Sequence, residues 1–220
     1  MSVSQSCRSQ LAAVLALGRV IPVITIDRLE DAVPVARALV AGGVRLLEIT
    51  LRTPHGLAGA EAIIRQVPDA VVGIGTVLTP SDLRRAEEIG ARFALSPGAT
   101  PALLDAAAAA GIPFMPGVAT ASELMEAVAR GFGTAKLFPA TAAGGLAYLK
   151  ALAGPFPQAR FCPTGGITEQ NAAEWLAQPN VVAVGGSWLT PAAEIAAGQW
   201  DAITARAARS RERLKGTAGG

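Results

Sequence analysis

Eight short, apolar, strand-like segments alternate with helix-like segments along almost all of the 220-residue chain. Most of the strand-like segments lack polar–apolar alternation, which is typical of parallel strands that are buried on both faces. Each strand–helix unit takes about 20–25 residues. Eight such units predict an α/β protein, a single (β/α)8 barrel domain over residues 1–220. An open doubly wound sheet is the alternative.

The pattern also predicts where each element lies. An additional N-terminal helix is expected over residues 9–18 and a closing helical region over 192–214, with flexible tails at 1–8 and 215–220. The apolar run at 11–17 is shorter than the roughly 18 residues of a membrane span. It leads directly into the first strand, so we predict neither a signal peptide nor a membrane partner. The predicted strands are 20–26, 45–51, 70–77, 93–96, 113–118, 136–139, 160–164 and 181–184.

The composition excludes several classes of function. The formal net charge is only +2, aromatic residues make up 5%, and no basic stripe is visible, which argues against a nucleic-acid partner. The two cysteines, Cys7 and Cys162, lie far apart, and His55 is the single histidine. This pattern predicts neither a disulfide framework nor a metal site. The cysteine usage fits a reducing compartment, and we predict a cytoplasmic location.

Lys136 is the residue that most strongly indicates chemistry. It is one of three lysines, and it alone interrupts an apolar strand-like segment, Ala-Lys-Leu-Phe-Pro-Ala at 135–140. A desolvated lysine has a lowered pKa, and its neutral amine can attack a ketone to form a Schiff base. The alternative is a snorkelling or ion-paired lysine with a structural role.

A second indication comes from residues at the carboxyl ends of the predicted strands, where barrels hold their active sites. Glu48 and Arg52 share one face of the second strand, because side chains alternate along a strand. We expect that face to be the interior, because Ile49 and Leu51 occupy the face under the helices, so that a carboxylate and a guanidinium enter the same cavity as Lys136. Glu48 could then move protons, and Arg52 could bind a carboxylate. The alternative is a mutual Glu48–Arg52 ion pair on an outward face. Thr76 offers a hydroxyl at the end of the third strand, with a backbone-bonded structural role as its alternative.

Two Gly-Gly pairs follow the seventh and eighth strands, at Gly165-Gly166 and Gly185-Gly186. Many barrels bind phosphate there through backbone N–H groups and a short helix N-terminus. Thr164 and Ser187 add a neighbouring hydroxyl to each pair. We therefore predict a phosphorylated ligand.

Taken together, these segments resemble the 2-dehydro-3-deoxy-phosphogluconate (KDPG) aldolase and 4-hydroxy-2-oxoglutarate aldolase family. The resemblance covers nearly the whole chain in order. It departs from the family pattern at Ile74, at Leu137 and over 141–145. Because of the last departure, the resemblance does not define the contacts at the far end of the substrate. The segments that carry it are 21–24, 47–53, 73–78, 96–98, 116–117, 136–140, 154–156, 160–167 and 184–189.

The resemblance implies a role for each candidate site residue. Lys136 takes the Schiff-base position and Glu48 the acid/base position. Arg52 and Thr76 fall where the family holds the pyruvate carboxylate, and Phe138 falls where an aromatic ring packs against the pyruvate unit. Thr164 matches a residue near the substrate hydroxyls. The phosphate end is matched by Gly165, Gly166, Gly186 and Ser187.

The resulting hypothesis is a homotrimeric class I aldolase that needs no metal or cofactor. It would cleave 2-dehydro-3-deoxy-6-phospho-D-gluconate to pyruvate and D-glyceraldehyde 3-phosphate. One alternative is the same mechanism on the galactonate epimer or on 4-hydroxy-2-oxoglutarate. Others are a phosphate-binding isomerase or synthase without a Schiff base, and a non-catalytic barrel that binds a phosphorylated ligand.

Overall fold

The computed structural model describes residues 2–214, which form an α/β fold of parallel strands and covering helices. A 3-10 turn, Leu29–Asp31, precedes the second helix. The strands are β1 Val20–Ile24, β2 Leu46–Thr50, β3 Val71–Gly75, β4 Phe93–Leu95, β5 Phe114–Met115, β6 Gly117–Val118, β7 Thr134–Leu137, β8 Arg160–Phe161 and β9 Val184–Gly186. The helices are α1 Gln5–Leu15, α2 Ala32–Ala41, α3 Gly56–Gln66, α4 Pro80–Glu88, α5 Pro101–Ala109, α6 Ala121–Ala129, α7 Gly145–Ala153, α8 Ala172–Leu176, α9 Ala192–Ala196 and α10 Trp200–Leu214.

The strands form two parallel sheets. Six of them pair in the order β5-β4-β3-β2-β1-β9, and three pair in the order β6-β7-β8. Pro116 separates β5 from β6, because proline has no N–H to give to a ladder. Just beyond it, the Gly117 N–H donates to the buried Ser96 hydroxyl at 3.1 Å. Since every pair is parallel, the carboxyl ends of the strands in each sheet lie at one edge.

Alternate side chains of each strand face different parts of the core. Leu47 and Ile49 of β2 pack into the large cluster beneath the helices, as do Ala135 and Leu137 of β7. The opposite faces carry Leu46, Glu48 and Thr50 on β2 and Lys136 on β7, all buried. The sequence prediction that Glu48 faces away from the helices is therefore confirmed.

Helix α1 packs against the amino-terminal half of the strands. Its Leu11 and Val14 join a second buried cluster with Ile21, Phe93 and Leu95. A Cβ on Gly73 would overlap the Phe93 ring, so the glycine makes room for that ring. The amino ends are thus filled with apolar side chains, which leaves polar chemistry to the carboxyl ends.

Several predicted boundaries were wrong. Helix α1 begins at Gln5, so residues 5–8 are not a flexible tail, because Ser4 caps the helix by accepting from the Cys7 N–H. The predicted closing helical region over 192–214 keeps its bounds and consists of two helices, separated by Gly198 with φ +64°. Residues 1 and 215–220, also predicted as tails, lie outside the described residues.

The eighth predicted strand, 181–184, was also misplaced. The structure pairs Val184, Gly185 and Gly186 with β1, so both glycines belong to the strand and not to a loop. A Cβ on Gly185 would overlap Thr164, and one on Gly186 would overlap the Trp188 ring. Close packing, and not a tight turn, accounts for this Gly-Gly pair. None of the described helices is long and apolar enough to cross a membrane.

Candidate active site

A buried ion pair lies between two strands that are distant in sequence. Lys136 Nζ donates to Glu48 Oε1 at 2.8 Å, and the two side chains are 3% and 1% exposed. Within residues 2–214 it is the only ion pair whose two side chains are both buried this deeply. Burying two charges costs a large desolvation free energy, so such a pair is weak evidence for stability. Its position therefore indicates a chemical role.

The second carboxylate oxygen of Glu48 has no hydrogen-bond partner among residues 2–214. Oε2 is buried and accepts no hydrogen bond from the described residues. The Glu48 carboxylate lies directly over Gly75 of β3, where a Cβ would overlap it. Gly75 thus provides the space in which the carboxylate reaches Lys136, and the free oxygen remains available to a substrate atom or a water molecule.

Cys162 lies close to this pair. Burial raises the pKa of its thiol to about 12, an increase that Lys136 opposes and Glu48 reinforces. The Thr164 hydroxyl donates to the Cys162 carbonyl oxygen at 3.4 Å. Since the thiolate is the nucleophilic form, Cys162 is a neutral packing group at ordinary pH.

A cavity of about 530 Å³ opens at the carboxyl ends of the strands. Arg52 supplies the one charged side chain among the described residues of its wall, and it is exposed and forms no ion pair with the described chain. Lys136, Glu48 and Thr76 do not line this cavity. Phe138 lies between the cavity and the Lys136–Glu48 pair. It lines the cavity wall, and its ring centroid lies 5.6 Å from Lys136 Nζ. The other lining residues are Val23, Pro139, Thr141, Ala142, Thr164, Gly165, Gly166, Ile167, Gly186 and Ser187.

The cavity wall at Gly165 and Gly166 has a backbone geometry that suits glycine. Gly165 and Gly166 have φ of +96° and +79°, a region that glycine enters at little cost. Among the described residues, no acceptor is found for the backbone N–H groups of Gly166 and Ser187. Free N–H groups on a concave wall suit an anion. No described helix begins directly after either Gly-Gly pair, so the predicted short-helix N-terminus is absent there.

Thr76 is held in a strained conformation. Its φ is +61°, the one positive value at a residue other than glycine among the described residues. Such a conformation at a β-branched residue costs about 1–3 kcal/mol and persists where the surroundings impose it. Thr76 directly follows Gly75, beneath the Glu48 carboxylate, although no contact ties its side chain to the cavity.

Sequence reasoning predicted most of these residues and missed a few. The structure brings Arg52, Phe138, Thr164, Gly165, Gly166, Gly186 and Ser187 to one cavity, beside the Lys136–Glu48 pair. The contribution of Thr141 and Ala142 was not predicted, and only their place after Pro139 could have signalled it. Within residues 2–214, no three His, Cys, Asp or Glu side chains are grouped so that they could hold a metal ion.

Comparison with known proteins adds independent information. Residues 11–206 match the profile of the family described as "Aldolase: KDPG and KHG aldolase". The KHG/KDPG aldolase of Escherichia coli K12 is 50% identical over 208 residues, which cover 94% of this chain and 98% of that protein.

Two solved structures are also similar to this chain. The KDPG aldolase of Legionella pneumophila, with pyruvate captured as a covalent carbinolamine intermediate, is 50% identical, with a TM-score of 0.89 over 91% of this chain and 97% of that one. The 2-keto-3-deoxy-6-phosphogluconate aldolase of Zymomonas mobilis ZM4, with 3-phosphoglycerate, is 44% identical, with a TM-score of 0.87 over 94% and 97%. The sequence-based resemblance is confirmed, and the chain belongs to the KDPG and KHG aldolase family.

Proposed function

We propose that this protein is a class I aldolase that cleaves 2-dehydro-3-deoxy-6-phospho-D-gluconate to pyruvate and D-glyceraldehyde 3-phosphate. The observation that carries the proposal is the buried Lys136–Glu48 pair, 2.8 Å apart, beside a cavity with one free guanidinium. The Legionella relative, which holds pyruvate as a covalent carbinolamine, supports the same chemistry.

Lys136 is the nucleophile in this proposal, and Glu48 moves the protons. A proton passes from Nζ to Oε1, and the neutral amine then attacks C2 of the substrate. The C2 oxygen is protonated and leaves as water, which gives a protonated imine. A carboxylate at hydrogen-bond distance from the amine can supply and remove these protons without a net charge change in the buried site.

The protonated imine is the electron sink for carbon–carbon cleavage. The C4 hydroxyl loses its proton, the C3–C4 bond breaks, and its electrons flow to the imine nitrogen as the aldehyde departs. The enamine that remains takes a proton at C3. Water then adds to the imine carbon, which releases pyruvate and restores the amine. Glu48 Oε2, which accepts no hydrogen bond from the described part of the chain, is available for the proton transfers at the substrate.

We assign substrate recognition to the residues that line the cavity and to Thr76, which does not line it. Arg52, on the cavity wall, binds the carboxylate of the pyruvate unit, because a guanidinium pairs well with a carboxylate. The family resemblance assigns the Thr76 hydroxyl to the same carboxylate. The Phe138 ring packs against that unit. Thr164 contacts the sugar hydroxyls. Gly165, Gly166, Gly186 and Ser187 bind the phosphate through N–H groups and a hydroxyl.

We infer that the strands close into an eight-stranded barrel with α1 as an additional helix. β5 and β6 act as one strand that Pro116 interrupts, so nine segments make eight strands. Parallel bridges Phe161–Val181 and Thr164–Gly185 support closure between β8 and β9. A homotrimer and a cytoplasmic location stay predictions that rest on the family resemblance and the composition.

Reductive trapping tests the proposed function. The protein is incubated with pyruvate and borohydride, weighed intact, and mapped by peptide. We expect one reduced pyruvate adduct on Lys136, its loss in Lys136→Met, and its retention in Lys150→Arg, which changes an exposed lysine on α7. No adduct, or an adduct on Lys150, would overturn the Schiff-base assignment and favour another phosphate-binding barrel.

Cleavage rates on several substrates test the part of the substrate that is released as the aldehyde. The E. coli relative is named for both KHG and KDPG, so 4-hydroxy-2-oxoglutarate is the second candidate substrate. A higher kcat/KM for the phosphorylated substrate supports our assignment. A higher value for 4-hydroxy-2-oxoglutarate, or for the galactonate epimer, would replace the proposed substrate while leaving the mechanism in place.

A further inference from the structure

The 165–167 loop, which forms one wall of the cavity, needs an external support. Both of its glycines have positive φ, and glycine has the widest choice of backbone conformations. On one side, the Thr141 N–H donates to the Gly165 carbonyl oxygen at 3.0 Å. On the other side, the Asn171 amide donates from Nδ2 to the Gly166 carbonyl oxygen at 3.0 Å. No other described side chain bonds to the backbone of this loop.

Part of the Asn171 geometry is explained by the turn over residues 168–171, which precedes α8. Asn171 Oδ1 accepts from the Thr168 N–H at 2.8 Å, and the Thr168 hydroxyl accepts from the Asn171 N–H at 3.3 Å. The Ala172 N–H donates to the Thr168 carbonyl at 3.0 Å, as in a first helical turn. This is the reciprocal pattern of a capping box.

The bond to Gly166 goes beyond capping. Helices α4 and α6 begin with a capping box, Thr79 with Asp82 and Thr120 with Glu123, and both use an acid as the reciprocal acceptor. An acid would make the same box before α8. It has no N–H, however, and would set a negative charge against the Gly166 carbonyl. The amide of Asn171 supplies both the acceptor for the turn and the donor for the loop, which an acid of the same size cannot do.

We propose that Asn171 is a positioning residue, which fixes the 165–167 loop in its phosphate-binding shape and so sets the preference for a phosphorylated substrate. This inference rests on the proposed function. Asn171 acts through the loop and does not touch the substrate. It therefore affects KM for the phosphorylated substrate, whereas Lys136 chemistry and binding of the pyruvate unit do not depend on it.

The test separates the two bonds of Asn171 by substitution. Asn171→Asp keeps the capping acceptor and loses the donor to Gly166, Asn171→Ala loses both, and Thr168→Ala weakens the cap alone. We measure KM and kcat for 2-dehydro-3-deoxy-6-phosphogluconate and for 4-hydroxy-2-oxoglutarate, together with the thermal midpoint of each variant. Losing the hydrogen bond from Asn171 Nδ2 to the Gly166 carbonyl, which supports the loop, predicts about a five- to tenfold rise in KM for the phosphorylated substrate in both Asn171 variants.

The expected pattern is selective. The Asn171 variants keep kcat within about twofold and their KM for 4-hydroxy-2-oxoglutarate within about twofold, since Asn171 bonds to the turn and to the 165–167 loop and not to Lys136 or Glu48. Thr168→Ala lowers the thermal midpoint without changing the substrate preference. Equal losses on both substrates, or a changed preference in Asn171→Asp but not in Asn171→Ala, would overturn the positioning role. Reductive trapping of wild-type protein with pyruvate distinguishes this failure from failure of the proposed function.

Discussion

Lys136 Nζ and Glu48 Oε1 lie 2.8 Å apart although 88 residues separate them in the chain. Both side chains point away from the helices, because the residues before and after each of them on the strand pack beneath the helices. The register places Glu48 beside Gly73, and Gly75 leaves room for its carboxylate. Four tests follow from the geometry around this pair.

Replacing Glu48 by Gln tests its role in proton transfer. Gln keeps the size of the side chain and can still bond to Lys136, but it cannot take the proton. We expect kcat to fall about 100- to 10,000-fold, the usual range for the loss of a general acid–base group. The pyruvate adduct should form slowly and still map to Lys136. A kcat within tenfold of the wild type would exclude Glu48 from proton transfer.

Replacing Gly75 by Ala tests the space beneath the carboxylate. The added Cβ would overlap the Glu48 carboxylate and push it from Lys136. We expect a loss of at least about tenfold in kcat, with a destabilisation of about 1–3 kcal/mol from overpacking. Gly133→Ala is the matched control, because nothing lies within 4 Å of its added Cβ. Equal activity in the two variants would show that the space over Gly75 is not needed.

Replacing Arg52 by Met tests carboxylate binding. The side chain is exposed and has no ion pair with the described residues, so the free energy of unfolding should change by less than about 0.5 kcal/mol. The pyruvate concentration that half-saturates adduct formation should rise at least about tenfold, because a charge-assisted hydrogen bond is lost. An unchanged half-saturating pyruvate concentration would show that a group other than Arg52 binds the carboxylate.

The pH dependence of stability tests the environment of Cys162. Its thiol has a pKa of about 12 in the folded protein, above the ordinary value of 9.0, so the folded state keeps a proton that the unfolded state loses. The stabilisation is complete below about pH 9 and falls progressively as the pH rises towards 12. Urea unfolding at pH 8 and pH 10 should show about 1 kcal/mol more loss in the wild type than in Cys162→Ala. Parallel losses in the two proteins would contradict the burial of a neutral thiol.

The alternation of helices and strands could be predicted from the sequence, because each strand is a short apolar run and each helix carries local start and stop signals. The strand boundaries were harder to predict. Gly185 and Gly186 resemble a turn in the sequence, yet they lie in β9 because Thr164 and Trp188 occupy the space where side chains would be. Pro116 interrupts a strand that the pattern predicted as continuous.

By itself, the sequence determined the α/β class and the family, and it indicated Lys136, Glu48 and Arg52 as candidate site residues, because these depend on local patterns and on residue types that chemistry requires. Only the tertiary structure decided that Glu48 pairs with Lys136 and not with Arg52, and that Asn171 holds the 165–167 loop. Such contacts depend on strand register and on the packing of side chains from distant segments, which no local pattern encodes.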